Sequence, residues 1–186
     1  MIKVVLFDFY GVFLPDAYSL WLENNGLERK GFYAEIIHQL DKNEITETGF
    51  MRALSDAIGR EVTSNEIHGQ NPMPDAGIVA LARDLKRLYS VSLFSNASKR
   101  LRTRLQTLDL EGLFNTVIIS SEIGYAKPSQ EAFAVAIEKL DVPAGEIVFI
   151  DDSIANTTAA ELSGMQSIHY TGIAALHEQL QSLKVI

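Results

Sequence analysis

The sequence predicts an α/β protein: a parallel five-stranded sheet with helices on both faces, plus an all-helical segment inserted after the first strand. Three observations carry that expectation. The chain opens on an apolar run, Ile2 to Phe7 with Lys3 its only polar member, which lacks alternation and suits a strand buried on both faces. From about residue 76 onward, helical and strand patterns alternate in short units, as repeated βα units of a parallel sheet do. Between these two regions, over residues 15–73, there is no convincing strand.

Leu14-Pro15-Asp16 breaks the first strand region, and helical patterns follow. One runs from about Ala17 to Leu27, carrying Leu20, Trp21, Leu22 and Leu27; a second runs from about Gly31 to Leu40, carrying Phe32, Tyr33, Ile36, Ile37 and Leu40. A third places Phe50, Leu54, Ala57 and Ile58 on one helix face and should stop near Gly59. Thr63-Ser64-Asn65-Glu66 has the spacing of a capping box and starts a short helix. Asn71-Pro72-Met73-Pro74 reads as a hinge, because two prolines in three residues cannot continue a helix.

Beyond the hinge, a helix over 76–88 precedes a strand from Val91 to Phe94 that ends at Ser95-Asn96, and a helix over 99–108 leads to a strand from Thr116 to Ile119. Gly124-Tyr125-Ala126-Lys127-Pro128 forms a loop before a helix over 130–140, and the strand Ile147 to Ile150 ends at Asp151-Asp152. A helix over 154–162 closes at Gly164, a natural C-terminal glycine, and a fifth strand over 166–170 and a helix over 173–183 complete the chain.

Composition narrows the function. The 186 residues suffice for one good core, with or without a small insertion, and 47% hydrophobic against 22% charged residues is ordinary for a globular chain. A formal net charge of −8, with no basic run beyond Lys99-Arg100, Arg102 and Arg104, argues against nucleic acid as a partner. With no cysteine there are neither disulfides nor thiolate metal sites. The N-terminus has no signal-peptide pattern and no window is apolar enough for a membrane span, so a cytoplasmic protein without a membrane partner is expected. Oligomeric state leaves no trace in the sequence.

The chemistry lies at the strand ends. Asp8 follows the first strand in a glycine-containing turn, Phe9-Tyr10-Gly11, where it serves either as a turn former or as a chemical group at the ligand-binding edge of an open sheet. Ser95 and Asn96 stand just before a helix, either as simple N-caps or as an anion site of hydroxyl and main-chain N–H groups. Lys127 alone would be one more solvated lysine. The Asp151-Asp152 pair is harder to dismiss, since adjacent carboxylates repel unless a cation or solvent relieves them. Three carboxylates without cysteine suit a hard cation such as Mg²⁺.

Together, Asp8 to Val12, Ser95-Asn96, Lys127-Pro128 and Asp151-Asp152-Ser153 with Asn156 resemble, in order and over nearly the whole chain, the haloacid dehalogenase-like hydrolase superfamily. Within it, Asn43-Glu44-Ile45-Thr46 leading to Phe50, and Gly164-Met165 after the acidic pair, look like the small-cap subgroup that includes sugar-phosphate phosphatases and epoxide-hydrolase N-terminal phosphatase domains. The resemblance implies a Rossmann-like core of residues 1–14 and 74–186, a helical cap of 15–73, and transfer of a phosphoryl group from a small phosphorylated metabolite through an aspartyl intermediate. It implies Asp8 as nucleophile, and Ser95, the Asn96 main chain and Lys127 holding the transferring oxygens. Mg²⁺ would sit on Asp8, the Tyr10 main-chain carbonyl and Asp152, with Asp151 a further ligand or a neighbour of the ligands. Lys127 is expected to keep the carboxylates ionised, and Asn156 to fix the loop.

One position departs from the family pattern. The phosphatases usually carry a second aspartate two residues after the nucleophile as general acid and base, and here that residue is Tyr10. With an ordinary pKa near 10, tyrosine is a poor base at neutral pH, so slow turnover or an undemanding leaving group follows; Tyr10 then reads as packing or a substrate contact. Asp-x-Tyr-Gly also resembles the turn of the 2-haloacid dehalogenases, which need no metal and do not retain the acidic pair, so a dehalogenase is the second reading and a weakly catalytic binding or regulatory module a third. His38, His68, His169 and His177 lack metal-ligand spacing and read as structural or exposed, while Trp21 and Phe32 read as buried faces of the cap.

Overall fold

The computed structural model describes residues 1–69 and 72–186; Asn71 of the expected hinge lies outside the described residues. Five parallel strands, β1 (Val4–Phe7), β2 (Ser90–Ser95), β3 (Val117–Ile119), β4 (Ile147–Asp151) and β5 (Gln166–His169), stand in the order β3-β2-β1-β4-β5. The apolar run at the start of the chain is therefore the central strand, with Val5 opposite Val91 on one side and Val148 on the other. Because successive strand residues point to opposite faces, Val5, Phe7, Leu93 and Ile150 enter one core while Val4, Leu6, Phe94 and Phe149 enter the other.

Among the described residues, ten α-helices surround and extend this sheet. Helices α1 (Ala17–Asn24), α2 (Phe32–Asp41), α3 (Glu47–Ile58) and α4 (Ser64–His68) come from the insertion. They are followed by α5 (Ala76–Leu85), α6 (Arg100–Thr107), α7 (Ser120–Ile123), α8 (Gln130–Leu140), α9 (Ile154–Leu162) and α10 (Ile173–Ser182). Ile78, Leu101, Leu105, Leu176 and Leu180 pack α5, α6 and α10 on one face. Ala132, Phe133, Ala136, Ala159 and Ala160 pack α8 and α9 on the other, where the rings of Phe94, Phe133 and Phe149 meet.

The inserted helices close around a third core of Tyr18, Trp21, Leu22, Ile36, Leu40, Phe50, Leu54, Val62 and Ile67. Helices α1, α3 and α4 start on side-chain caps, Asp16 accepting from the Tyr18 N–H, Thr46 from Gly49 and Thr63 from Glu66, whereas α2 starts at Gly31 without one. The expected capping box is half formed, since the Glu66 carboxylate takes the Trp21 indole N–H and Arg60 instead. The insertion leaves and re-enters the sheet at one point, where the Asp75 N–H donates to the Phe13 carbonyl at 3.0 Å.

Several expectations differ in detail: α1 ends at Asn24 and α5 at Leu85, each three residues short of the helix expected, and Leu20 is exposed. Phe32 stands on the first turn of α2 and is exposed rather than packed, and Ala57 also faces out. Helix α2 runs one residue past the expected end, taking in Asp41. The four-residue helix α7 is too short to show a period in sequence. Among the described residues, no helix is long and apolar enough to cross a membrane.

Candidate active site

Parallel strands deliver their carboxyl ends to one edge, and there the segments singled out in sequence come together. Asp8 leaves β1 with its N–H donating to the Ile150 carbonyl of β4 at 2.8 Å, which holds it between the two strands. Lys127 arrives on the loop between α7 and α8. The side chain of Asn96 clamps that loop at both ends, accepting from the Lys127 N–H and donating to the Lys127 carbonyl, each at 2.8 Å. The side chain of Asn96 is thus committed to the lysine loop.

The ammonium of Lys127, 2% exposed, sits between the rings of Phe94 and Phe149 and is held on three sides. It meets the Phe94 carbonyl at 2.9 Å, Asp151 Oδ2 at 2.6 Å and Asp8 Oδ1 at 3.0 Å. All three of its donors are used, so it acts here on the carboxylates and not as a loose cation. Burial alone would push its pKa down, but Asp151 and Asp8 more than offset that and hold it above the usual lysine value.

Asp151 is fully buried and saturated: Oδ1 accepts from the Ser153 N–H at 2.8 Å and Asn156 Nδ2 at 3.0 Å, Oδ2 from Lys127 and again from Asn156. Asp152, next in chain, is exposed and lies against the turn after Asp8. A Cβ on Gly11 would fall 2.2 Å from Asp152 Oδ2, and Gly11 adopts φ of +90°, so both the turn and the seat for this carboxylate require glycine. One oxygen each from Asp8, Asp151 and Asp152 lies within 4.8 Å of the others. A set of carboxylate oxygens this tight fits a hard divalent cation.

Burial raises the Asp8 pKa and Asp151 adds to the rise, while Lys127 opposes both, as expected of a neighbouring cation; the carboxyl is pushed up to about 7. Ser95 ends β2 fully buried, and among the described residues its Oγ has no hydrogen-bond partner. The Oγ atoms of Ser92 and Ser121 are also buried without a partner, so what sets Ser95 apart is its place at this edge.

Above the edge lies a cavity of about 940 Å³ whose lining joins Asp8, Tyr10, Asn96, Lys127 and Asp152 to the inserted helices. Tyr10 packs edge-to-face on Phe9, and burial together with the negative charge of Asp16 pushes its hydroxyl up to about 12. His38 and His68, read from sequence as bland, both line this cavity, as do Asp16, Arg29 and Asp41, which the sequence reading passed over. Their signal, single polar residues on or beside amphipathic helices, is indistinguishable in sequence from a solvated face.

Comparison with known proteins places the chain in a family and agrees with its fold. A family model for haloacid dehalogenase-like hydrolases matches residues 2–164. A sesquiterpene phosphatase of Aspergillus oryzae is 30% identical over 112 residues, 59% of this chain and 57% of that protein, so the match spans little more than half the relative's length. Among solved structures, a HAD-like family hydrolase from Porphyromonas gingivalis superposes with a TM-score of 0.76 at 23% identity, covering 97% of this chain and 98% of the other. A HAD family enzyme from Bacteroides thetaiotaomicron, in complex with magnesium and inorganic phosphate, gives 0.71 at 23% identity over 90% and 93%. At such identities the structural likeness speaks to fold.

Proposed function

The chain belongs to the haloacid dehalogenase-like hydrolases, and from that premise we propose that it is a Mg²⁺-dependent phosphatase of a small phosphorylated metabolite, working through an aspartyl phosphate on Asp8. The observation that carries this reading is the meeting of Asp8, Lys127, Asp151 and Asp152 at one sheet edge under a single cavity. The relative named a sesquiterpene phosphatase and the magnesium and phosphate complex of a fold neighbour support it. In the same reading residues 15–73 are a cap over a core of 1–14 and 74–186, and a cavity of about 940 Å³ suits a small metabolite.

In this mechanism Asp8 attacks phosphorus, the ester P–O bond breaks with its electron pair on the leaving oxygen, and water then attacks the aspartyl phosphate to release inorganic phosphate and restore the carboxylate. Asp8, Asp152 and the main-chain oxygen of Tyr10 would hold Mg²⁺, which offsets the repulsion between a carboxylate and a phosphate dianion when bound. Asp151, its oxygens already occupied by Lys127, Asn156 and Ser153, fixes the lysine. Lys127 orients Asp8. The Ser95 hydroxyl and the Asn96 main-chain N–H are left to receive the transferring oxygens.

The test is phosphate release from a panel of sugar phosphates and a terpenoid phosphate, with and without chelator, beside Asp8→Asn. Release that chelator abolishes and the variant loses by roughly a thousandfold or more is expected. Equal slow rates for both proteins would favour a binding module. The Asp8-Phe9-Tyr10-Gly11 turn keeps a dehalogenase as the second reading. Halide release from a 2-haloacid that survives chelation would decide for it.

A further inference from the structure

Residue 10 leaves the proposed hydrolysis without an acid and base. The leaving oxygen departs as an alkoxide unless a group donates a proton to it, and a tyrosine pushed up to about 12 neither donates readily at neutral pH nor accepts the proton back from water. Some other group around the cavity must serve if unactivated esters are to be cleaved.

Two carboxylates line the cavity besides Asp8 and Asp152, namely Asp16 and Asp41. Asp16 is committed: it caps α1 through the Tyr18 N–H, accepts from Ser19 Oγ and pairs with Arg29. Asp41 is not. It ends α2, is only 6% exposed, and among the described residues its carboxylate makes no hydrogen bond or ion pair. A buried carboxyl without a partner is rare in a folded protein, because desolvation is then uncompensated. Here the unpartnered group opens on the same cavity as Asp8.

We propose that Asp41, carried by the inserted helices and not by the turn after Asp8, is the acid and base of the reaction. The inference rests on the phosphatase reading. In the first step the Asp41 carboxyl gives its proton to the ester oxygen as the P–O bond breaks, leaving alcohol and the Asp41 carboxylate. In the second, that carboxylate takes a proton from water as its oxygen bonds to phosphorus and the P–Oδ bond returns its electrons to Asp8. Inorganic phosphate leaves, and both aspartates regain their starting forms.

The surroundings of Asp41 suit both steps. Burial raises its pKa, Arg29 opposes, Asp16 and Asp8 add to the rise and Lys127 lowers it, with a result of about 7. Its place at the C-terminal end of a helix also favours the neutral form. A group poised near neutrality can serve as acid and then as base. Tyr10 also faces it, and His38, one turn back on α2, lines the same cavity but is half-buried and a second proton carrier to exclude.

The test compares n-butyl phosphate, whose leaving alcohol needs a proton, with 4-nitrophenyl phosphate, whose leaving group does not, in wild type, Asp41→Asn, Asp41→Glu, His38→Gln and Asp8→Asn. Asp41→Asn should lose roughly 100- to 10,000-fold in kcat/KM on the butyl ester and less than about tenfold on the nitrophenyl ester, with partial rescue by Asp41→Glu. Equal losses on both esters, no loss on either, or a butyl-specific loss in His38→Gln instead would overturn the assignment. Should Asp41→Asn not fold, Asp41→Ser takes its place with the same expected pattern. A wild type that cleaves neither ester while Asp8→Asn behaves identically removes the phosphatase reading itself; cleavage dependent on Asp8 but indifferent to Asp41 removes only this inference.

Discussion

On the sheet side of the cavity each buried charge has its counterpart: Lys127 meets both Asp8 and Asp151, and Asn156 and Ser153 fill what remains on Asp151. On the side of the inserted helices Asp41 is just as buried and, among the described residues, has none. The two regions hold charge by opposite means. The charges at the strand ends are paired before any ligand arrives, so their geometry is set in advance, as electrostatic catalysis requires. The roof keeps a group whose partner is the substrate.

Removing a member of the paired set breaks that comparison hardest. Lys127→Met leaves two carboxylates buried without a cation, and such a loss costs roughly 3 to 5 kcal/mol. Urea unfolding should register it at neutral pH, together with loss of phosphate release. A variant of unchanged stability would mean that Asp8 and Asp151 are not held by the lysine.

The same contrast decides what could be read from sequence. β1 and β4 are buried on both faces and appear as uninterrupted apolar runs, so Asp8 and Asp151-Asp152 stand out against them, whereas β2 carries Ser92 within it and Ser95 stands out only after Leu93-Phe94. Lys127 becomes visible only in company with those motifs, since its burial comes from a loop that Asn96 fastens from another strand end. Asp41 was illegible. Followed by Lys42 and Asn43 it reads as a solvated helix end, and it is buried only because the inserted helices close over the sheet, a long-range event without local signature. Phe32 differs in the other direction: its place on an apolar face implies packing, but it stands at the edge of that face, 46% exposed, with Tyr33 against its ring.

A stability measurement sharpens the comparison from the roof side. In the folded chain the Asp41 pKa is raised from 3.8 to about 7, so below pH of about 4 both folded and unfolded states bind its proton and it costs nothing. As pH rises through that interval the unfolded chain releases the proton and the folded one keeps it, so stability falls, and the full cost stands above pH of about 7. Asp41→Asn should therefore be more stable than wild type at pH 8, by about 1 to 3 kcal/mol, and no more stable at pH 4. Thermal melts across that range check the sign; a variant less stable at pH 8 would show that the carboxylate has a partner after all.

The smallest effect is expected where the two regions touch. Glu47, first residue of α3, accepts from Ser98 Oγ at 2.7 Å and from Arg100 at 2.8 Å, and Arg100 also donates to Ser64 Oγ. This joins the inserted helices to the loop after β2, but the arginine side chain is 51% exposed, so water and salt screen the pair. Glu47→Ala should cost less than about 1 kcal/mol in urea unfolding, and the difference should shrink further in 1 M salt. The roof has its own apolar core around Trp21, Phe50 and Leu54, so a screened contact at the seam adds little to its stability. A loss of about 3 kcal/mol or more would instead make this seam a structural joint, and the separation between a preset floor and an independently packed roof would have to be given up.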